Sequence, residues 1–398
     1  MVVLVGSAED ISITLRFARK YSLPITVCGG KHSSGGASSI DEEGVVIDLS
    51  KHMNKVTVDP EAKTVTSQGG AIWETVDKSC EKYGLATVGG TVNNTGVAGL
   101  TLGGGYGWLS GVHGVTVDNL LRAEMVLADG SIVQASADEN ADLFWAVRGA
   151  GACIGVASEL TFRLHEQRPT VWAGILLYPE AAADAVVDFA NHLSAVCKGE
   201  CGIAVGVCCA PNTTEPSVLA VVFYNGSKEE GEAFFAPLLQ LSPIINTTAE
   251  IPYSGLNEIV NGSTNSLPRK ATKGSSVITP VRKGFFREII ANFHAFIQKV
   301  PDAAGSVVQL ELINPGGWSH VPVTDMAFAN RGHHCNVMVA PMWSGSENDT
   351  QCRSWARTMA RFIGAEFERA KKEAGIPTDG DTVGEYLNFE GAPPYNTD

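Results

Sequence analysis

The sequence predicts an α+β protein in two parts, of which the second is an antiparallel sheet covered by helices on one face. Its length of 398 residues exceeds the roughly 150 residues of one ordinary domain, so two or three compact units are expected. Glycine is abundant, with 43 residues, and its densest runs lie before residue 156, so the first part is expected to wrap its backbone around another group. After residues 168–169, R-P, glycine thins out, and longer strands alternate with flanking helices.

The first part begins with a predicted helix at residues 7–20, because Ser7 is a plausible N-cap and apolar residues follow at helical spacing. Two hairpins are predicted, one turning at residues 59–60 and the other at residues 129–130. The stretch 89–107 has few periodic anchors and is predicted to be a long, functional loop. The other predicted elements are strands at 25–28, 45–50 and 156–165 and helices at 71–83 and 139–148.

The second part is predicted to contain long strands and helices in alternation. Between residues 241 and 283 the sequence offers few strand signals, so this segment is expected to be poor in strands. The predicted strands are 171–178, 202–209, 217–224, 306–313 and 334–343, and the predicted helices are 180–196, 228–240, 284–299 and 349–373.

The charge balance argues against nucleic acid as a partner, because the net charge is −14 and no stripe of lysine or arginine offsets it. No apolar run approaches the roughly 18 residues that a membrane span requires, so no membrane is expected. The first ten residues contain no basic segment before an apolar one, which predicts no signal peptide and a cytoplasmic protein. Six N-x-S/T sequons leave secretion open.

The cysteines and histidines do not indicate a disulfide framework or a metal site. The nine cysteines are odd in number and scattered, which favours a reducing compartment. Those between residues 197 and 209 cluster but match no zinc spacing, and His333 and His334 are expected to straddle a strand as a solvated pair. The motifs of zinc proteases, serine hydrolases and P-loop NTPases do not occur, which disfavours these classes.

A glycine-rich turn after the second predicted strand is the first candidate for a binding site. Residues 29–35 read G-G-K-H-S-S-G, and bare glycines after a strand allow backbone N–H groups to converge on an anion such as a diphosphate. Lys31, Ser33 and Ser34 add donors, although a plain surface turn is the alternative. His32 has no helix or strand face to occupy here, which favours a functional role.

Two further glycine segments differ in what they indicate. Residues 149–155 look like a dinucleotide fingerprint, but a predicted helix precedes them and a strand follows, which is the reverse of the order that a Rossmann site requires. Residues 89–107 are too long for an ordinary connection, and their interspersed apolar residues argue for burial rather than for a linker.

These pieces, in this order, resemble the vanillyl-alcohol-oxidase-type flavoproteins, specifically the berberine-bridge-enzyme-like branch. Residues 29–33 are similar to the family's G-G-x-H-S-type loop, and residues 95–107 to its T-G-x-G-G-x-x-x-G-G-G-[FY]-G loop. The family's Y-G-x-x-x-D-N-L element corresponds to residues 113–120, and its R-G-G-G-G-N-F-G-V segment to residues 148–156. The resemblance is strong over residues 2–168 and looser beyond them.

The resemblance implies FAD as the cofactor and a PCMH-type FAD-binding domain. The first loop would cradle the FAD diphosphate, the second would follow the ring and ribityl chain, and His32 would bond covalently to the flavin 8α-methyl group. Relatives with a second covalent link have a cysteine where this sequence has Val92, so a single link is implied. The residues expected to bind the cofactor are Gly29, Gly30, Lys31, His32, Ser33, Ser34, Val92, Thr95, Gly96, Gly99, Gly105, Tyr106, Gly114, Gly155, Val156 and Asn388.

The resemblance also implies the domain limits and the reaction. The FAD-binding domain would span residues 1–168, the substrate-binding domain 169–375, and a C-terminal segment, 376–398, would return to the FAD domain. The expected reaction is a two-electron oxidation of a C–H bond next to an alcohol or amine of a small molecule, with hydride passing to the flavin and O2 as the acceptor. Gly99 is expected to leave open space for oxygen. The sequence does not reveal the substrate.

The resemblance further implies Tyr386 as the catalytic base, with Asn388 addressing the flavin ring. Both could point at one cleft, because residues two apart in an extended segment share a face. A base at neutral pH requires the phenol pKa to fall from ~10 to ~7. A structural tyrosine is the alternative for Tyr386. Two other functions stay open for the whole chain: a relative that uses FAD as a scaffold for a non-redox cyclisation, and a flavin-binding protein with impaired catalysis.

Overall fold

The structure is a computed structural model that describes residues 1–40, 43–264, 269–376 and 383–390. The first part of the chain alternates short strands and helices: β1 (Val2–Leu4), α1 (Ala8–Lys20), β2 (Ile25–Cys28), β3 (Val45–Asp48), β4 (Val56–Asp59), β5 (Thr64–Gln68), α2 (Trp73–Glu81), β6 (Leu85–Ala86), α3 (Val97–Leu102), α4 (Ser110–His113), β7 (Leu120–Leu127), β8 (Ile132–Ser136), α5 (Ala141–Ala150), β9 (Gly155–Arg163) and β10 (His165–Glu166).

The second part has longer elements: β11 (Thr170–Pro179), α6 (Ala183–Val196), β12 (Cys201–Cys209), β13 (Pro216–Tyr224), α7 (Lys228–Phe234), α8 (Ala236–Leu239), β14 (Ile245–Asn246), β15 (Ala249–Pro252), α9 (Asn261–Thr264), β16 (Arg269–Lys270), β17 (Lys273–Val277), α10 (Lys283–Lys299), β18 (Val307–Ile313), β19 (Cys335–Ala340), β20 (Met342–Trp343) and α11 (Asp349–Glu373). Residues 383–390 return to the first part, where Asn388 contacts Leu100.

The first part contains a parallel and an antiparallel sheet. Strands β1, β3 and β2 form a three-stranded parallel sheet in that order, and β4, β5, β9, β7 and β8 form a five-stranded antiparallel sheet. Helix α1 buries Ile11 and Leu15 against Val45 and Ile47 of the parallel sheet. Its N-terminus is capped as predicted, because the Ser7 hydroxyl accepts a hydrogen bond of 3.2 Å from the N–H of Asp10.

The second part is built on an eight-stranded sheet in which neighbouring strands are antiparallel, with β14-β11-β13-β12-β18-β19-β17 in order and β15 beside β11. Helices α6, α10 and α11 bury their apolar faces on one side of it, for example through Leu193, Phe293 and Ile363. The other side packs Phe223 and Ile313 against side chains of the first part. The predicted α+β class, with an antiparallel sheet covered by helices, is confirmed.

Three expectations about secondary structure are wrong. The stretch 89–107 is not loop throughout, because α3 lies inside it. The segment expected to be poor in strands contains β17, which forms the edge of the eight-stranded sheet against β19. The predicted helix at 228–240 is interrupted at Phe235 and continues as α8.

Two expectations about side chains are also wrong. His334 is fully buried and precedes β19, where its Nε2 lies 3.1 Å from Asn330 Oδ1, so it does not belong to a solvated pair. Cys197 and Cys201 form a disulfide that the scattered spacing did not predict. In the described part of the chain, the one group of three neighbouring side chains of metal-binding type consists of these two cysteines and Glu200, and the disulfide leaves neither cysteine as a thiolate ligand.

The predicted domain limits at residues 168 and 375 stay a proposal. Of the C-terminal segment assigned to 376–398, residues 377–382 and 391–398 lie outside the described residues. None of the helices in the described part of the chain combines the length and the apolar character that crossing a membrane requires.

Candidate active site

The two glycine loops of the first part meet backbone to backbone. A Cβ on Gly30 would overlap the backbone nitrogen of Gly96, and a Cβ on Gly96 would come within 2.6 Å of the nitrogen of Gly30. A Cβ on Gly29 would lie 3.3 Å from the carbonyl oxygen of Gly69. Glycine is therefore required at residues 30 and 96 because no side chain fits between the loops.

The turn formed by residues 29–34 offers a row of free donors. Among the described residues, none of its six backbone N–H groups donates a hydrogen bond to another protein group. Lys31 adopts a left-handed conformation with φ of 60°, and its ammonium lies 3.4 Å from a carboxylate oxygen of Asp48. Unpaired N–H groups in such a turn fit a diphosphate, as the sequence predicts for FAD.

The serines of this turn are used differently. The Ser33 hydroxyl accepts a 3.1 Å hydrogen bond from the N–H of Ala37, which stabilises the turn itself. The Ser34 hydroxyl donates a 3.1 Å hydrogen bond to Thr272 Oγ1, so it links the turn to the residue before β17 in the second part.

His32 is half-buried and reaches across to the second glycine loop. Its Nε2 lies 2.6 Å from Asn94 Oδ1, and an amide oxygen only accepts, so Nε2 carries the proton and Nδ1 keeps the lone pair in the neutral ring. Burial lowers the pKa of His32 below its ordinary value, although the bond to Asn94 opposes this shift. The ring is therefore suited to act as a neutral nucleophile through Nδ1.

The second glycine loop is fixed to the chain around it. The carbonyl oxygen of Thr95 accepts a 3.1 Å hydrogen bond from the N–H of Trp73, and the N–H of Val97 donates to Ala71 at 2.9 Å. Val92 is half-buried at the start of this run. A Cβ on Gly99, within α3, would meet no heavy atom within 4 Å, so space is open at this point of the loop.

The other predicted cofactor residues differ in their surroundings, and the backbone of Gly105 lies within hydrogen-bonding reach of the Tyr386 phenol. Gly105 and Gly114 have φ of 84° and 76°, in the region that favours glycine. Gly155 opens β9, where a Cβ would lie 2.5 Å from the carbonyl oxygen of Val126. Val156 belongs to the apolar cluster beneath the parallel sheet. The structure therefore brings His32 and the glycine loops together but places Val156 in a core.

Tyr386 lies beside the end of the second glycine loop. It is 6 % exposed, and its ring meets the ring of Tyr106 edge to face with centroids 5.0 Å apart. Its hydroxyl accepts hydrogen bonds from the N–H of Tyr106 at 3.3 Å and from Asn388 Nδ2 at 3.1 Å. Asn388 also donates to the carbonyl oxygen of Leu100 at 2.9 Å, which ties residues 386–388 to α3.

Burial moves the pKa of Tyr386 away from the value that a base requires. Removal from solvent raises the pKa of its phenol, and the carboxyl of Glu311 raises it further, whereas the bond from Asn388 lowers it. Burial also raises the pKa of Tyr106 well above its ordinary range. Both phenols are therefore protonated at neutral pH in this structure.

Glu311 is a residue of this site that sequence reasoning missed. It lies on β18 two residues before Ile313, which belongs to the cluster that contains Tyr106 and Tyr386, so its side chain is on the same face of the sheet. Burial raises its pKa to about 7. The sequence signal is a glutamate in the strand V-V-Q-L-E-L-I, where it shares one face with Gln309, its hydrogen-bond partner, and a charge within a mostly apolar strand favours a functional role.

Comparison with known proteins agrees with this geometry. A family model described as an FAD binding domain matches residues 1–136. The chain is 34% identical to the FAD-linked oxidoreductase pgmH of Aspergillus terreus, over 93% of this chain and 76% of that protein. It is 28% identical to the (R)-6-hydroxynicotine oxidase of Paenarthrobacter nicotinovorans, over 94% of this chain and 79% of that protein.

Solved structures show the same fold. The crystal structure of 6-hydroxy-D-nicotine oxidase from Arthrobacter nicotinovorans matches with a TM-score of 0.79 and 26% identity, over 98% of this chain and 83% of that one. Berberine bridge enzyme from Eschscholzia californica matches with a TM-score of 0.76 and 20% identity, over 92% of this chain and 75% of that one. The chain belongs to the FAD-linked oxidoreductases, shares its fold with berberine bridge enzyme and is an FAD-dependent oxidoreductase.

Proposed function

We propose that this protein oxidises a C–H bond next to an alcohol or amine of a small molecule and passes the electrons to O2. The observation that carries the proposal is the position of the Tyr386 hydroxyl, buried against the second glycine loop and within the electrostatic reach of Glu311. Bound FAD supplies the acceptor for the hydride. Residues 1–168, with the returning segment from 376, would bind FAD, and residues 169–375 would hold the substrate.

The chain's own groups have separate tasks in this proposal. The N–H groups of residues 29–34 bind the diphosphate, and Asn388 presents its amide beside Leu100 and Tyr386. The remaining residues proposed to contact the cofactor are Val92, Thr95, Gly96, Gly99, Gly105, Tyr106, Gly114, Gly155 and Val156. The face of the sheet that carries Glu311 closes the other side and excludes water.

Tyr386 takes the substrate's hydroxyl proton in this proposal, which demands a lower phenol pKa than burial alone gives it. Glu311 is the second candidate for this proton, because a carboxyl with a pKa of about 7 can accept a proton at neutral pH. The two groups interact, so a proton accepted by either one changes the pKa of the other.

His32 would hold FAD through a bond from Nδ1 to the 8α-methyl carbon. The methyl group and the imidazole ring would each lose a proton, the electron pair of the broken C–H bond would reduce the flavin, and O2 would reoxidise it. The support is the neutral ring with its Nε2 hydrogen held by Asn94. When the purified protein is denatured in acid, the flavin should stay with the precipitate, and the peptide that contains His32 should gain the mass of FAD. His32→Ala should release its flavin into the supernatant under the same treatment. If acid denaturation of the native protein released its flavin into the supernatant, the covalent bond would be excluded, whereas FAD would stand as a non-covalent cofactor.

Substrate screening under anaerobic conditions tests the reaction itself. A compound that is oxidised should bleach the yellow flavin, and admission of O2 should restore the colour and release hydrogen peroxide. Product formed while the flavin stays oxidised would support the non-redox cyclisation instead. Bleaching without peroxide on admission of air would show that another acceptor is needed. No bleaching and no product across a broad panel would support a binding protein.

A further inference from the structure

The connection between β18 and β19 is far longer than two neighbouring strands require. These strands pair directly, with Glu311 opposite Asn336, yet residues 314–334 separate them along the chain. Hairpin connections usually need only two to five residues. The connection leaves the sheet and contacts the first part of the molecule, where Trp145 Nε1 donates a 2.7 Å hydrogen bond to the carbonyl oxygen of Thr324. Long ordered connections of this kind usually have a function.

Through Asn330, the end of this connection contacts Tyr106 and the chain segment that carries Tyr386. Asn330 is 1 % exposed, and its Nδ2 donates a 2.6 Å hydrogen bond to the carbonyl oxygen of Gly384, two residues before Tyr386. The hydroxyl of Tyr106 lies 2.7 Å from the Asn330 carbonyl oxygen and 2.9 Å from its Oδ1. One buried amide therefore bonds to the segment that carries Tyr386 and to the ring that packs against it.

A backbone bond completes the contact. The N–H of Gly384 donates to the carbonyl oxygen of Ala329 at 2.9 Å, so both backbone polar groups of Gly384 are paired, one with the backbone of Ala329 and one with the side chain of Asn330. The connection is anchored beside this point by Arg331, whose buried guanidinium binds Asp118 and lies 4.9 Å from the ring of Phe328. The returning segment is thus held by an ordered neighbour.

We propose that Asn330 is a positioning residue that sets the place of the Tyr386 phenol for proton transfer. The inference rests on the proposed function of Tyr386 and goes beyond it, because Asn330 reaches that phenol only through Gly384 and Tyr106. Removing its amide leaves the carbonyl oxygen of Gly384 and Nε2 of His334 without this buried partner, and the Tyr106 hydroxyl keeps only the backbone carbonyl of Asn330. A shift of about 1 Å in a catalytic group can lower the rate by roughly 100-fold, so loss of the Asn330 amide can slow the reaction strongly without any direct contact with the substrate.

The first test measures position without chemistry. Amide hydrogen exchange of the peptide over residues 383–390 should be roughly fivefold to tenfold faster in Asn330→Ala than in the native protein, as expected for the loss of a buried hydrogen bond. Asn191→Ala is the matched control, because the Asn191 amide also exchanges two hydrogen bonds with a backbone segment, at Val281, but lies on α6 away from the site. Equal exchange in the native protein and Asn330→Ala would overturn the proposal.

The second test asks whether Asn330 acts through Tyr386. Asn330→Ala should slow flavin reduction by roughly 10- to 100-fold in the native background and by less than about threefold in Tyr386→Phe. An equal loss in both backgrounds, or none in the native one, overturns the inference. If Tyr386→Phe alone reduces its flavin at the native rate, the base role has failed, and the exchange measurement still decides whether Asn330 holds the segment.

A conservative variant adds a signature that a merely structural role would not produce. The new carboxyl of Asn330→Asp repels the carbonyl oxygen of Gly384 when ionised but can donate a hydrogen bond to it when protonated. The rate of flavin reduction in this variant, relative to the native rate at the same pH, should therefore rise as pH falls. A ratio that is constant with pH would contradict the proposed bond.

Discussion

The two surfaces that meet at Tyr386 are built on different principles. The glycine loops of the first part present backbone, and the contact between Gly30 and Gly96 leaves no room for a side chain. The facing sheet presents side chains, among them Glu311 on β18 and Asn336 opposite it on β19. Backbone groups bind a cofactor whose chemistry is constant, whereas side chains can be exchanged without disturbing the strands. Glycine spacing in the sequence therefore predicts the cofactor, whereas the exchangeable side chains of the sheet do not predict the substrate.

Replacing the phenol gives the largest expected effect and tests the side-chain surface. Tyr386→Phe should retain the fold and the flavin spectrum while flavin reduction slows by roughly 10²–10⁴-fold, because a positioned proton acceptor contributes that much. Stopped-flow absorbance under anaerobic conditions measures the rate. Reduction at the native rate would make Tyr386 a packing residue and would leave Glu311 as the candidate base.

Asp77 and Glu311 are buried carboxyls, one in each part of the chain, and comparison of their variants distinguishes an effect on stability from an effect on the reaction. Burial raises the pKa of Asp77 on α2 from 3.8 to about 7, with Glu74 and Glu81 adding to the shift and Asn257 opposing it. The folded state therefore binds a proton at Asp77 more tightly than the unfolded chain does. The stability that this proton contributes is fully present below pH ~4 and is lost as pH rises through ~7. Asp77→Asn should raise the free energy of unfolding at pH 8 by roughly 4 kcal/mol and leave it unchanged at acidic pH. Urea denaturation at several pH values measures this.

Glu311 has the same sign of shift, so Glu311→Gln should also be relatively more stable above pH 7. The two variants should differ in chemistry. Glu311→Gln should change the pH dependence of flavin reduction near pH 7, whereas Asp77→Asn should not, because Asp77 lies on the buried face of α2 and accepts a hydrogen bond from Asn257. Identical pH profiles for native protein and Glu311→Gln would remove Glu311 from the proton path and weaken the contrast between the two surfaces.

The backbone surface is tested with a single methyl group. Gly30→Ala should destabilise the protein by roughly 1–3 kcal/mol, as overpacking does, and should lower the ratio of flavin to protein. The reason is that the added Cβ overlaps the backbone of Gly96, which cannot move as a side chain could. Thermal unfolding and the visible spectrum report both effects. If Gly30→Ala had the same stability and the same ratio of flavin to protein as the native chain, the two loops would be able to move apart without loss of free energy.

The smallest effect is expected at Gly99, which serves as the control for Gly30. A Cβ there meets no heavy atom within 4 Å, and the residue lies inside α3. Gly99→Ala should therefore stabilise the protein by roughly 0.5–1 kcal/mol, because alanine has a higher helix propensity than glycine. If the added methyl group slowed only the reaction of reduced flavin with O2, the proposed oxygen role of this space would gain support.

Local signals predicted much of the fold. The limits of α11 and the Ser7 cap of α1 follow from helical periodicity and capping chemistry within one segment. The helix α3 was missed because glycines flank and interrupt it, and its start depends on Ala71, a residue far away in sequence. The strand β17, K-G-S-S-V, carries little apolar alternation and is a strand because β19 offers it an edge.

The site was predictable in the same uneven way. The glycine turn and His32 could be recognised from their order along the chain, but their partner Asn94 could not, because no local pattern marks it. Glu311 could be singled out in the sequence as an acidic residue within a mostly apolar strand. Asn330 left none, since its importance comes from contacts with Gly384 and Tyr106 that only the folded chain brings together.

The distance along the chain between Tyr106 and Tyr386 has a consequence for biogenesis. These residues are separated by 280 positions, whereas His32 and Asn94 are separated by 62. At roughly 5–20 residues per second, a ribosome needs roughly 15–60 s to add Tyr386 after Tyr106. During that interval the nascent chain already contains both glycine loops but not the phenol that contacts them. Both glycine loops are therefore available to a cofactor before the last contact of the proposed site can form.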